Sequence, residues 1–325
     1  MKGSIIALSS GLGGVFPHIR DLGVNNLKEL YDIESVVCES AKMFPDEVRN
    51  NPKLRADELN NALADDTIDY VHALIGGDDS IRINEYINLN LKDKKIVGFS
   101  DATCYLTYLA SQGKSAIYGA SILAGMAQAK FLGEDFIKNF YDVVISKDTV
   151  LYPKYDFYVE GYRNWGDKDN KGEILEKKVT KGPIVLQGSG KVSGKLFGGC
   201  INSLEQIKGT KYYPNKEYLK DKILFFEVSD EKISPEQFRR MLYSYAIQGI
   251  FNSNKAVMFG IFKDYSDDEK EKVYKYIKDV LIDEYGFKCP IVLNCPFGHT
   301  APTWFLPYNE IFEIDLDNVE FRVLR

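Results

Sequence analysis

Four short segments of this 325-residue chain carry residue types that do chemistry at places where a fold exposes them. The first is Lys95-Ile96-Val97-Gly98-Phe99-Ser100-Asp101-Ala102-Thr103, where an apolar run meets Gly-x-Ser and a helical pattern through Tyr105, Leu106, Leu109 and Ala110 follows. A serine on a sharp strand-to-helix turn has its hydroxyl lifted off the sheet edge and lies beside a helix N-terminus. Ser100 therefore reads as a nucleophile, and the next N–H, that of Asp101, is placed to hold an oxyanion. Ala102 stands where G-x-S-x-G has its second glycine and is small enough for the turn. The plainer reading of Ser100 is a helix N-cap. The second segment, Leu74-Ile75-Gly76-Gly77-Asp78-Asp79-Ser80, has paired glycines at a strand end. Such glycines let N–H groups point into a cleft, so Gly77 is a second candidate oxyanion donor, against the alternative of an ordinary turn.

The third segment holds a base. Of the three histidines, His72 falls within an apolar strand and His18 near a Gly-rich start, whereas His299 follows Gly298 in a loop after an apolar strand. Loop placement on a rigid scaffold suits a general base. Cys295 is close in sequence, but a nucleophile normally meets its base across the fold. The fourth segment is Ile223-Leu224-Phe225-Phe226-Glu227-Val228. A carboxylate ending so apolar a strand is costly to bury unpaired. An imidazole partner would let Glu227 act as the orienting acid of a triad; the alternative is an edge-strand glutamate in water.

The elements needed to position these groups follow from hydrophobic period. Ser4–Ser10, Ser35–Cys38, Tyr70–Ile75 and Lys95–Phe99 read as strands, separated by charged helical stretches such as Arg55–Asp66 with Leu59, Ala62 and Leu63 at helical spacing. Alternation of this kind implies βαβ units and a parallel sheet, with ligands at the carboxyl ends near Ser10, Gly76 and Ser100. Lys222–Val228, Lys255–Phe262 and Pro290–Asn294 read as later strands. Ser234-Pro235-Glu236-Gln237 and Ser266-Asp267-Asp268-Glu269 are capping boxes, with stops at Gly249 and Gly286. Glu310–Arg325 alternates as a hairpin around Asp317-Asn318. Tyr152–Gly190 is polar and Gly-containing, and reads as a long, functional surface loop. The expected organisation is α/β: an amino-terminal parallel-sheet domain over 1–160, a linker and substrate loop over 161–185, and a smaller carboxy-terminal mixed α/β domain over 186–325.

Composition excludes other classes. Lys and Arg total 41 against 47 Asp and Glu, a net charge of −6, which argues against a nucleic-acid partner. No apolar run reaches the roughly 20 residues of a membrane span, and the short run after Met1 is no signal segment, so no membrane partner and a cytoplasmic location are expected. Five scattered cysteines suit free thiols in a reducing compartment. There is no H-E-x-x-H and no C-x-x-C, so no metal site is expected. Gly11-Leu12-Gly13-Gly14 has Phe16 where a dinucleotide loop needs its third glycine, and no cofactor is expected.

Taken in order, Gly76-Gly77-Asp78-Asp79-Ser80, Gly98-Phe99-Ser100-Asp101, Leu196-Phe197-Gly198-Gly199, Leu224-Phe225-Phe226-Glu227 and Gly298-His299 resemble the LD-carboxypeptidase family of serine peptidases, which includes the microcin C self-immunity hydrolases. The resemblance runs from Ser4 to about Asp315. It implies Ser100 as nucleophile, Glu227 as acid, His299 as base and the backbone of Gly77 and Asp101 as oxyanion hole, in a metal-free homodimer. The implied activity is a serine carboxypeptidase or amidase cutting near a peptide carboxy terminus, of the muropeptide L,D type. The alternative substrate is an aminoacyl- or peptidyl-nucleotide conjugate, and the alternative of another class is a catalytically silent peptide-binding homologue. Tyr118-Gly119-Ala120 stands where the family usually has Tyr-Gly-Pro, and Gly198-Gly199-Cys200-Ile201-Asn202 keeps only the later asparagine, so Asn202 is a candidate substrate contact. Trp165 resembles the aromatic that the microcin-hydrolysing branch stacks on a nucleobase, yet Glu231 stands where that branch tends to be basic.

Overall fold

The inner strands are apolar without alternation because both faces of each sheet are covered. In the computed structural model, which describes residues 1–325, β1 (Lys2–Ile6), β2 (Glu34–Val37), β3 (Tyr70–Ala73), β4 (Lys95–Gly98) and β5 (Ala116–Tyr118) form a parallel sheet in the order β2-β1-β3-β4-β5. The order in which strands are added reverses between β1 and β3, the point where open α/β sheets bind ligands outside their strand ends. Ser9-Ser10, Gly76-Gly77 and, one strand further, Ser100 follow those ends. The helix Pro52–Ala64 buries Arg55, Ala56, Leu59, Ala62 and Leu63 against the sheet, so the helical spacing read from the sequence marks its inner face.

The second half builds another α/β layer. Two short strands, β6 (Val150–Leu151) and β7 (Phe157–Tyr158), precede β8 (Lys178–Val179), which pairs with β7. Then β9 (Ile184–Gln187) and β10 (Lys191–Gly194) lead into β11 (Leu196–Cys200), β12 (Ile223–Glu227), β13 (Ala256–Gly260) and β14 (Ile291–Cys295). Strands β11 to β14 are parallel and consecutive, and β9 closes the edge antiparallel to β14. The chain then returns: β15 (Leu306–Pro307) adds an antiparallel strand to β5 of the first sheet. The hairpin of β16 (Ile311–Asp315) and β17 (Glu320–Leu324) takes β10 and β6 on its two sides. Both capping boxes are formed, Ser234 with Gln237 and Ser266 with Glu269. Gly249 and Gly286 adopt the positive φ that a helix stop requires. No helix is long and apolar enough to cross a membrane.

The polar stretch after Tyr152 is more ordered than its composition suggests. Val159 bridges to Ala301 and Tyr162 to Ile174. Buried Asn170 donates to the carbonyls of Arg163 and Asn164, and the His18 ring nitrogen lies 3.2 Å from the Asp167 carbonyl. Tyr162, Trp165 and Ile174 pack on the amino-terminal core. Side chains thus satisfy part of its backbone, and Tyr162, Trp165 and Ile174 face inward while Leu175 and Val179 remain exposed. The glycines at 11, 13 and 14 also have a packing reason: a Cβ on any of them would lie within 2.8 Å of the backbone of residues 41–44.

Candidate active site

The site begins with a strained turn. Phe99 is extended, Ser100 has φ of +59°, and a 3-10 turn over Ser100–Ala102 runs into the helix Thr103–Ser111. A non-glycine residue in the left-handed region costs about 1–3 kcal/mol and persists only where its surroundings dictate it. Here they do. A Cβ on Gly76 would lie 2.8 Å from the Ser100 Cβ, and one on Gly98 would lie 2.5 Å from the Tyr105 hydroxyl and 2.7 Å from the Ala102 Cβ. Gly98 is therefore fixed by the close approach of Tyr105 and Ala102. Thr103 Oγ1 donates to the Ser100 carbonyl at 2.7 Å and accepts from the Cys200 N–H at 3.0 Å, tying the turn to β11. Ser100 makes no side-chain cap, so the N-cap alternative does not describe it.

Glu227 and His299 come from the other sheet. Glu227 closes β12, a central strand rather than an edge, and its side chain is fully buried. His299 lies in the loop after β14, its side chain 3% exposed. Nδ1 is 2.7 Å from Glu227 Oε2, and Nε2 is 2.9 Å from Ser100 Oγ. A carboxylate can only accept, so Nδ1 carries the hydrogen and the Nε2 lone pair faces the serine hydroxyl. Burial by itself pushes the imidazole pKa down, but the charge and hydrogen bond of Glu227, with the charge of Asp230, outweigh it and raise it above the ordinary histidine value. Gly298 is required: its φ is +106°, and a Cβ there would sit 2.8 Å from the Glu227 side chain.

The sequence gives Tyr118 a place in a family segment but no role. Its hydroxyl donates to Glu227 Oε1 at 2.6 Å and accepts from the Ser100 N–H at 3.2 Å, joining acid and turn. The buried Glu227 carboxylate thus has a partner on each oxygen. His72, by contrast, is buried in β3 against the Ala120 carbonyl, and burial holds its pKa down near 4, so it is a neutral core residue.

These groups open onto a cleft of about 360 Å³ lined by Ser100, His299, Gly77, Trp165, Asn202 and Lys263 among others. The Gly77 N–H makes no hydrogen bond within the protein. Asn202, at the start of the helix Ile201–Ile207, accepts from the Ser229 N–H through Oδ1 and lines the cleft. Trp165 is half-buried, edge-on to Phe16 at 5.8 Å and nearly parallel to Tyr162 at 6.2 Å. Glu231 is exposed at the cleft, and the basic side chain there is Lys263, paired with Asp230 at 2.7 Å and Asp264 at 3.2 Å. A hydroxyl, an imidazole and a carboxylate in this relay, beside a free N–H, can perform acyl transfer.

Comparison with known proteins shows the family. Residues 4–119 match the model of the LD-carboxypeptidase N-terminal domain, and residues 193–314 that of the C-terminal domain. The chain belongs to the LD-carboxypeptidase family. It is a hydrolase of the peptidase kind. The Escherichia coli microcin C7 self-immunity protein MccF is 27% identical over 275 residues, which is 82% of this chain and 76% of MccF. An MccF-like protein from Streptococcus pneumoniae, solved in complex with AMP, superposes with a TM-score of 0.86 at 27% identity over 99% of this chain and 98% of that one. MccF in complex with aspartyl sulfamoyl adenosine shares the fold, with a TM-score of 0.81 at 21% identity over 100% of this chain and 96% of that one.

Proposed function

We propose that this chain is a serine hydrolase of amide bonds near the carboxyl end of small peptides or aminoacyl conjugates. Ser100 attacks the carbonyl carbon while His299 Nε2 takes its proton. Glu227 holds the ring in the right tautomer and balances the imidazolium charge. The N–H groups of Gly77 and Asp101 receive the oxyanion. The imidazolium then gives its proton to the leaving amine, a water that yields its proton to His299 attacks the acyl-serine, and His299 passes that proton to Ser100 Oγ as the acid is released. The observation that carries this reading is His299 spanning Ser100 at 2.9 Å and Glu227 at 2.7 Å, at the wall of a cleft large enough for a small substrate.

Two substrate types fit the reading. A muropeptide of the L,D type follows from the family, with Asn202 as a polar contact. An aminoacyl-nucleotide conjugate is favoured by Trp165, whose ring lines the cleft and whose buried indole N–H has no partner in the protein. The S. pneumoniae relative holds AMP and MccF holds an aminoacyl sulfamoyl nucleoside, which is the same chemistry. The discriminating experiment measures product release from an L,D-tetrapeptide and from an aminoacyl sulfamoyl-adenosine, with wild type and Trp165→Ala. Base–aromatic stacking is worth roughly 1–3 kcal/mol, so the variant should lose about 5- to 150-fold in kcat/KM on the nucleoside conjugate and little on the peptide. Equal losses on both, with a lower melting temperature, would reduce Trp165 to an anchor of its loop. Turnover of the peptide alone would discard the nucleotide reading.

A further inference from the structure

We propose that the buried carboxylate of Asp101 and the buried guanidinium of Arg55 are positioning residues that fix the Gly77 N–H relative to Ser100. The proposal rests on Ser100 being the nucleophile and concerns what sets its oxyanion hole.

The two side chains grip the same two segments from different directions. Asp101 is 1% exposed, and its Oδ2 accepts from Ser9 Oγ at 2.5 Å, the Asp79 N–H at 3.0 Å and the Ser80 N–H at 2.8 Å. Its carbonyl accepts from Ser80 Oγ at 2.6 Å. Arg55 is fully buried; Nη1 donates to the carbonyls of Leu8 and Ser9, both at 3.1 Å, and Nη2 to Asp79 Oδ2 at 3.2 Å. The segment after β1 and the segment after β3 are therefore held by both charges at once. Gly77 lies between these grips: a Cβ there would come 2.4 Å from Ser9 Oγ and 3.0 Å from Ser10 Cβ. Neither Asp101 nor Arg55 lines the cleft, so neither side chain is available to substrate.

Stability alone does not account for this arrangement. A buried ion network is seldom worth more than well-packed apolar residues of the same volume, whereas its directional hydrogen bonds define one geometry. Geometry is what an oxyanion hole needs, because donors act only when about 2.7–3.1 Å from the oxygen. Asp101 is unusual in doing two jobs. Its own N–H is one candidate donor, and its carboxylate reaches back to hold the segment that carries the other. One residue thereby sets the spacing between both donors and Ser100.

The test uses the full chain. Wild type and Ser100→Ala are first treated with a fluorophosphonate; labelling of Ser100 in an active wild type is the prerequisite, and its failure removes the nucleophile assignment itself, independently of Asp101. Asp101→Ala, Asp101→Asn, Arg55→Lys and Ser9→Ala are then titrated to completion with the same reagent, so that rates refer to folded sites. The readouts are kcat, KM and the affinity for a peptide boronic acid, whose tetrahedral adduct mimics the intermediate. Asp101→Ala should lose about 10- to 100-fold in kcat, somewhat less than outright removal of an oxyanion donor, and a similar factor in boronate affinity, with KM nearly unchanged. Asp101→Asn keeps an acceptor oxygen and should recover part of the loss, while Ser9→Ala should lose only a few-fold. Should Asp101→Ala fail to fold, Asp101→Asn and Ser9→Ala carry the comparison. An unchanged kcat per titrated site, or equal losses in boronate and substrate affinity, would show a merely structural brace and overturn the proposal.

Discussion

Replacing Tyr118 by phenylalanine removes one oxygen and leaves the ring in place, yet it should disturb both ends of the relay. The hydroxyl is one of two partners of the buried Glu227 carboxylate, at 2.6 Å, and the acceptor for the Ser100 N–H at 3.2 Å. A hydrogen bond to a buried charged group contributes about 1.5–3 kcal/mol. If all of it is expressed in the transition state, kcat falls by about 10- to 150-fold, well short of the roughly 10⁴-fold that disabling a triad acid costs elsewhere. The loss has a direction in pH as well. With Oε1 unpartnered, the Glu227 charge leans more heavily on His299, so the imidazolium is favoured and the acid limb of kcat/KM should move to higher pH. The assay is a pH–rate profile of Tyr118→Phe beside wild type, with thermal unfolding as a control. A variant with wild-type kcat and an unmoved acid limb would refute the claim that Tyr118 supports the acid.

Two other substitutions probe neighbouring parts of the site. Gly76→Ala would place a methyl 2.8 Å from the Ser100 Cβ and 3.2 Å from the Phe99 carbonyl, and a nucleophile displaced by about 1 Å costs on the order of 100-fold in rate; wild-type kcat in a folded variant would contradict the packing argument. His299 is held above the ordinary histidine pKa, against its own burial, chiefly by Glu227. Activity should therefore fall with acid through a midpoint above about 6.5, and Glu227→Gln should move that midpoint down while lowering the rate. A midpoint unmoved by Glu227→Gln, followed by kcat/KM across pH 5–9, would exclude the pairing.

Much of this candidate site is legible in the sequence because each piece follows an apolar run, and all but Glu227 lie within two residues of a glycine. Gly98 before Ser100, Gly298 before His299 and Gly76 opposite the turn are each forced by a close approach, and glycine leaves a mark that can be read without coordinates. Side chains that act through burial leave none. Tyr118 ends the three-residue strand Ala116–Tyr118 and looks like any core aromatic; its hydroxyl gains meaning only from β12 across the fold. Arg55 opens a charged helical stretch whose pattern assigns it no role, yet it is fully buried because the carbonyls of Leu8 and Ser9 and the carboxylate of Asp79 converge on it. The order of the Trp165 loop is hidden in the same way, since the hydrogen bonds that hold it come from Asn170 and from His18, far away in the chain.

The central claim is that Ser100 is the nucleophile, and mass spectrometry after fluorophosphonate treatment tests it most directly. The adduct should appear on the peptide containing Ser100 and nowhere else, should abolish turnover in proportion to its extent, and should be absent from Ser100→Ala. That variant should retain its fold and lose on the order of 10⁶ in kcat. An active enzyme that carries no adduct on Ser100, or a Ser100→Ala variant that keeps even about a tenth of wild-type turnover, would contradict the account.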